Sequence, residues 1–333
     1  MNMKTVAIIG DGGWGTALAL VLARNGQAVR VWGPFPEYIE QIVTRGENVK
    51  FLPGVRLPTN IGWTADRAAA VRDADVVVLA VPSKYFRAAL QPLAPLVPGP
   101  ALIVSVTKGL DRETSRRMTQ VAADLLGRGP IAALSGPSHA EEVARGLPTA
   151  VTLACADPAQ AVALQKVLSN DAFRVYTADD VAGVELGGAL KNVMALAAGV
   201  CDGLGFGDNA KAALITRGLA EMTRLGCALG AQRATFAGLS GLGDLVVTCT
   251  SRHSRNRAVG ERLGRGEQIA AILQSMEQVA EGVWTCAVAR DLARRHKLPA
   301  PITEEVCAVI HDGKNPRQAV QALLGRELRS EQD

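Results

Sequence analysis

TVAIIGDGGWG, residues 5–15, decides the fold. A short β-branched and apolar run ends in glycines, and a helical pattern follows over 16–25 until Gly26 stops it. Gly10, Gly12 and Gly15 keep the spacing G-x-G-x-x-G. Gly10 permits a tight turn, Gly12 lets the backbone approach a pyrophosphate, and Gly15 lets the helix pack closely on the strand. The helix N-terminus then offers free N–H groups and partial positive charge to an anion. The motif is short, but a strand before it and a helix after it are the context it requires. It predicts a bound dinucleotide, with Trp14 either covering it or packing inward.

Working outward, residues 29–33 read as a second strand, broken by Pro34 and Pro36. A carboxylate at that strand's end would bind the adenosine ribose. The tip reads WGPFPE, with neither an acid nor an Arg directly at the end; Glu37 arrives late. The motif therefore gives NAD or NADP without choosing between them. Apolar runs at 75–81, 101–107, 131–135 and 150–154 resemble strands buried on both faces. Helical stretches at 37–45, 85–93, 112–126, 138–145 and 158–168 lie between them. This alternation predicts an α/β domain with a parallel, doubly wound sheet of Rossmann type. Beyond about residue 179 every patterned segment reads as helix: 181–199, 211–229, 255–263, 269–276, 285–296, 303–309 and 316–324. The expected division is a dinucleotide-binding domain over 1–184 and an all-α C-terminal domain over 185–333, carrying substrate and catalysis.

Composition agrees. At ~100–200 residues per domain, 333 residues make two. With 48% apolar and 20% charged residues, the chain is not disordered. Lys plus Arg number 36 and Asp plus Glu 32, a net +4 that gives no argument for nucleic acid or a membrane surface. The six cysteines form no CxxC pair, and no Cys/His spacing resembles a zinc site. They read as buried, reduced thiols of a cytoplasmic protein, and no metal is expected. Neither a signal peptide nor a run of ~18 apolar residues is evident.

Several segments carry chemistry. Lys108 follows a buried strand at its carboxyl end, where ligands of open α/β sheets sit. Ser135-Gly136-Pro137-Ser138 ends the next strand in the same way, with Ser138 placed to cap a helix. Lys191 lies in an apolar, small-residue helix; burial there would lower its pKa toward neutrality and suit acid/base work. Asp244 and Thr248 are spaced to share a helix face, where the Asp can orient a catalytic Lys. Ser254, Arg255 and Asn256 at a helix start combine side-chain donors with free backbone N–H groups, as a phosphate site requires. The histidines at 139, 253, 296 and 311 show no relay or metal spacing; 296 and 311 read as helix-end surface residues.

These segments occur in one order with ENVKFLPGVRLP (47–58), SVTKGL (105–110), SGPSHAEEVA (135–144), ELGGALKNV (185–193), GLGDLVVTCTSRHSRN (241–256), VAEGVWT (279–285) and PITEEV (301–306). Across essentially its whole length the chain resembles the bacterial-type NAD(P)-dependent glycerol-3-phosphate dehydrogenases. The resemblance implies reversible reduction of dihydroxyacetone phosphate to sn-glycerol 3-phosphate, a phospholipid precursor, by a homodimer. It implies Lys191 as proton donor and acceptor, with Lys108 and Asp244 beside it. It implies substrate contacts from Lys108, Gly136, Ser138, Thr248, Ser254, Arg255 and Asn256. Gly10, Gly12, Gly13, Trp14, Gly15, Pro34, Lys108, Ala140, Arg255, Val279 and Glu281 would meet the cofactor. Ser is common in the family where this chain has Gly13, a minor change for a backbone-lined loop. Arg or His is common near Pro34, so a 2′-phosphate loses its usual partner. Weak discrimination is expected, NADH slightly ahead, with Lys50 a partial substitute for the missing Arg. Two other readings compete. One is a dehydrogenase of the β-hydroxyacid or ketopantoate reductase kind, which would lack the phosphate box. The other is a dinucleotide-sensing protein, which need not keep both lysines and the Asp.

Overall fold

β-Branched residues favour pleated, buried surfaces, and here they build the middle of one sheet. The computed structural model describes residues 3–328, 330 and 331. Eight strands run β1 (Thr5–Ile9), β2 (Ala28–Trp32), β3 (Ile61–Thr64), β4 (Val76–Leu79), β5 (Leu102–Ser105), β6 (Ala132–Ser135), β7 (Thr149–Ala154) and β8 (Phe173–Ala178). Their spatial order is β3-β2-β1-β4-β5-β6-β7-β8. The chain winds outward from β1 to one side through β2 and β3, then crosses to β4 and winds the other way. The crevice beyond the carboxyl ends of β1 and β4 is therefore the topological switch point, where ligands of such sheets bind.

Side chains alternate between two cores. Val6, Ile8, Val29, Val31, Val76 and Val78 face one layer with the helix Gly13–Arg24. Ala7, Ile9, Val77, Leu79 and Ile103 face another that holds Phe86 and Leu90. Both faces are covered, which is why these strands read as continuous apolar runs.

Two expectations need correction. The sheet is not wholly parallel: β6 and β7 pair antiparallel. A parallel return needs a crossover that spans a sheet face. The link from β6 to β7 instead contains only the five-residue helix Ala140–Ala144, too short for that. The edge strands β3 and β8 were also not expected. Only Ile61 of β3 is buried, and β8 buries only Phe173 and Val175, so neither forms an apolar run.

The second half is helical and wraps around the helix Val181–Gly203, which is buried from Gly183 to Cys201. By length and composition that helix could cross a membrane, yet 94% of its apolar window is enclosed by protein. It is a core helix. Against it runs the helix Arg255–Gly264. The two backbones nearly touch: a Cβ on Gly199 would lie 2.0 Å from the Arg257 carbonyl oxygen, and one on Gly260 would lie 2.0 Å from that of Leu196. This contact sets the start of the second helix, residues 254–256, beside the middle of the first. Residues 5–26, 75–81 and 158–168 fold much as their pattern predicts, and so do the helices of the second half. Two short segments there were not read as elements, the helix Arg233–Phe236 and the π-turn Leu239–Gly243, whereas the helix Asp244–Thr250 carries the face that the spacing of Asp244 and Thr248 predicts.

Candidate active site

The loop after β1 turns at Gly10, whose φ of 123° suits glycine, and a Cβ there would lie 2.6 Å from the Ala80 carbonyl oxygen. Gly15 packs against Gly10 itself, with 2.1 Å between its would-be Cβ and the Gly10 oxygen. Gly12 differs. A Cβ on it would meet nothing within 4 Å, so no protein contact demands a glycine there. The open face lies beside the uncapped start of the helix Gly13–Arg24, which has no acid in its first turn. The arrangement fits a pyrophosphate. At Gly13 a side chain would not be a minor change: its Cβ would fall 2.5 Å from the Phe51 carbonyl oxygen. Trp14 packs inward, 6.3 Å from the Phe173 ring.

The segment 47–54 is pinned onto this loop. Asn48, fully buried, donates to the Asp11 carbonyl oxygen and to Thr16 Oγ1, both at 2.7 Å, and accepts from the Tyr38 hydroxyl at 2.5 Å. Asp11 brings a carboxylate to the end of β2. A Cβ on Gly33, just past that strand, would lie 2.5 Å from Asp11 Oδ2. The carboxylate thus sits where a Rossmann-type ribose acid is expected, delivered from the glycine loop. Its Oδ2 is buried without a partner. Burial raises its pKa to about 6, opposed by its own backbone hydrogen bond and by the Lys50 charge. Pro34 and Glu37 lie exposed beyond it. Sequence spacing did not reveal Asp11 because its strand-end neighbour is far along the chain.

The lysines and Asp244 converge. Asp244 is 1% exposed and begins the helix Asp244–Thr250. Lys191 Nζ donates to Asp244 Oδ1 at 2.6 Å and to Thr248 Oγ1 at 2.7 Å. Thr248 in turn donates to the Asp244 carbonyl oxygen at 2.5 Å, as the four-residue spacing suggested. Lys108 Nζ donates to Asp244 Oδ2 at 2.7 Å, to the Gly136 carbonyl oxygen at 2.8 Å and to Ser138 Oγ at 3.2 Å. All three Lys108 donors are therefore engaged, whereas Lys191 keeps one N–H without a partner among the described residues. Burial, partly offset by Asp244 and reinforced by Lys108, lowers the Lys191 pKa to about 8. Burial alone would raise that of Asp244, but the two ammonium groups outweigh it and hold the carboxyl below its ordinary range. Ser138 is not a helix cap; His139 occupies that position before Ala140. His139 itself is held below its usual pKa, first by burial and then by Lys191 and Lys108; its ring lies 5.7 Å from that of His253.

The residues 254–256 split in function. Ser254 caps its helix, its Oγ accepting from the Arg257 N–H at 3.2 Å. Asn256 is a brace: it donates to Asn192 Oδ1 and accepts from the Gly282 N–H, both at 2.9 Å. Asn192, a residue the sequence reading left without a role, donates onward to the Lys108 carbonyl oxygen at 3.0 Å. Arg255 is an exposed residue whose guanidinium makes no hydrogen bond or ion pair among the described residues; its crowded surroundings lower its pKa, opposed by the charges of Glu281 and Glu141. Glu281 joins the two halves: it accepts from the Ser83 N–H at 2.8 Å and from the Ser83 hydroxyl. Ala140 abuts the loop, its Cβ 3.7 Å from a Cβ built on Gly13. Val279 is half-buried just before Glu281.

Comparison with known proteins agrees with this geometry. Residues 5–161 match the family described as NAD-dependent glycerol-3-phosphate dehydrogenase N-terminus, and residues 180–321 match its C-terminus. A glycerol-3-phosphate dehydrogenase [NAD(P)+] of Moorella thermoacetica is 50% identical over 97% of this chain and 96% of its own. One from Geobacillus kaustophilus is 49% identical over 99% and 97%. The crystal structure of glycerol-3-phosphate dehydrogenase from Coxiella burnetii superposes with a TM-score of 0.94 at 42% identity, covering 97% of this chain and 99% of that one. A ketopantoate reductase from Ralstonia eutropha, at a TM-score of 0.61 and 16% identity, shares the fold alone.

Proposed function

The chain belongs to the NAD-dependent glycerol-3-phosphate dehydrogenase family, and from that premise we propose that it interconverts dihydroxyacetone phosphate and sn-glycerol 3-phosphate with Lys191 as the acid. A bound nicotinamide supplies or takes the hydride at the substrate carbon. Alkoxide charge then develops on the substrate oxygen, and a cationic Lys191 stabilises it and hands over a proton from Nζ. Lys191 fits this task better than Lys108, and the unengaged N–H on its ammonium carries the argument. Lys108 is saturated by Asp244, Gly136 and Ser138, and serves to orient the carboxylate and line the site. Asp244 pairs with both lysines from a buried position.

Arg255 anchors the substrate phosphate, helped by the Ser254 hydroxyl, and so fixes the carbonyl against the ring. Gly10, Gly12, Gly13 and Gly15 with the helix start hold the pyrophosphate. Glu281, Val279 and Ala140 close over it. Asp11 reads the adenosine ribose in place of an acid on β2, so NADH is favoured modestly over NADPH. In this reading residues 1–184 bind the cofactor, residues 185–333 bring substrate and catalysis, and the protein is a cytoplasmic homodimer that feeds phospholipid synthesis.

The substrate assignment is tested by comparing dihydroxyacetone phosphate with dihydroxyacetone. An Arg–phosphate pair contributes roughly 1.5–3 kcal/mol, and remote binding energy also assists the chemical step. The unphosphorylated ketone is expected to be poorer by orders of magnitude in kcat/KM. Comparable values for the two ketones would overturn the phosphate role.

A further inference from the structure

Away from this site, three soft donor atoms meet where two helices pack. Cys286 lies in the helix Gly282–Arg295, and Cys307 and His311 lie one turn apart on the helix Pro301–His311. The two thiol sulfurs and a ring nitrogen of His311 are all within 4.8 Å of one another. Both cysteines are fully buried, while the histidine ends its helix at the surface. Cys286 Sγ and His311 Nε2 are 3.5 Å apart. Tetrahedral zinc, with Zn–S near 2.3 Å and Zn–N near 2.0–2.1 Å, sets an S···N edge of about 3.5 Å. The observed spacing already matches that edge.

Cys286 and His311 both bond one backbone carbonyl oxygen. Cys286 Sγ donates to the Val283 carbonyl oxygen at 3.2 Å, and His311 Nε2 approaches the same oxygen at 2.9 Å. A metal would replace both. Sequence spacing conceals the set, because Cys286 sits on a separate helix and Cys307 and His311 alone make only a pair.

We propose that Cys286, Cys307 and His311 form a Cys2His site for a thiophilic divalent cation of the zinc type, with water as the fourth ligand. Binding is not a redox step. Two S–H bonds break and their protons pass to solvent, the Nε2 proton of His311 leaves with its bond to Val283 as the ring shifts to the Nδ1–H tautomer, two metal–sulfur bonds form, and Nε2 gives its lone pair to the metal. The site ties the first turns of Gly282–Arg295 to the end of the next helix. The same helix begins at Gly282, whose N–H braces Asn256.

The test is a Co2+ titration of reduced, metal-free, full-length protein, followed by Zn2+. One equivalent of Co2+ should produce sulfur-to-cobalt charge-transfer absorption with the visible bands of a tetrahedral ion, and Zn2+ should abolish both. Cys307→Ser should weaken the charge-transfer band, since only the Cys286 thiolate remains. His311→Ala, at an exposed ring, should weaken Co2+ by at least about tenfold without disturbing the fold. That variant keeps the test decisive even where a buried Ser substitution unfolds the protein. Absence of thiolate charge transfer in the unsubstituted protein would overturn the proposal. An affinity unchanged by His311→Ala would do the same, because it would place the metal on other groups such as the exposed Cys227.

Discussion

The glycine loop and the lysine–carboxylate cluster use opposite physics. The loop works through backbone N–H groups and empty space: Gly12 faces nothing, and no side chain of the loop caps the helix behind it. The cluster works through three charged side chains, with Lys191 and Asp244 almost wholly removed from water. In the proposed reading, a cofactor shared by many enzymes is held by groups that cost the fold little. The lysine–carboxylate cluster instead carries a standing desolvation cost, and that cost is what moves the Lys191 pKa down to about 8.

The sharpest way to break the contrast is Lys191→Ala. Losing a positioned general acid typically lowers kcat by ~10²–10⁴-fold, while NADH affinity, set by the loop, should stay the same. Steady-state rates and NADH fluorescence titration read the two halves separately. A near-normal kcat would move the proton donor to another group. Gly12→Ala is the mirror experiment. The added methyl meets no protein atom, so denaturant unfolding should shift by no more than about 0.5 kcal/mol. NADH binding should nonetheless weaken by about tenfold or more, since the methyl enters the space of the pyrophosphate. Unchanged affinity would mean that the phosphates lie elsewhere.

Asp11→Asn gives the smallest effect. The unsubstituted protein should use NADH and NADPH within about tenfold of each other, NADH ahead. Removing the charge should move the kcat/KM ratio toward NADPH by a few-fold to about tenfold, because an ionised carboxylate repels a 2′-phosphate. A ratio that does not move would separate Asp11 from ribose recognition.

How much of this was legible depends on whether a feature is local in sequence. The glycine loop, the central strands and the Asp244–Thr248 face are each written within a few residues, so periodicity and spacing reveal them. β3 and β8 are edge strands with half-exposed faces, and their patterns resemble loops. The turn-back at β7 follows from the length of a connecting helix that read longer than it is. Asp11 against Gly33, Asn192 against Lys108, and Cys286 against His311 are pairings across the fold. Composition and spacing contain no trace of them. Lys108 and Lys191 were each visible as candidates, but their meeting on one carboxylate depends on how the helical half docks on the sheet.

Lys191 is proposed as a buried acid tuned by its neighbours, and the pH dependence of ketone reduction tests that most directly. The donor must be protonated, so kcat/KM for dihydroxyacetone phosphate should be level below its pKa and fall as pH rises through about 8. Lys108 pushes that pKa down by like-charge repulsion. In Lys108→Met the remaining rate, though lower, should therefore hold to higher pH, with the falling limb displaced to the alkaline side. A profile that stays level to about pH 9.5 in the unsubstituted protein, or a limb that does not move in Lys108→Met, would contradict the assignment.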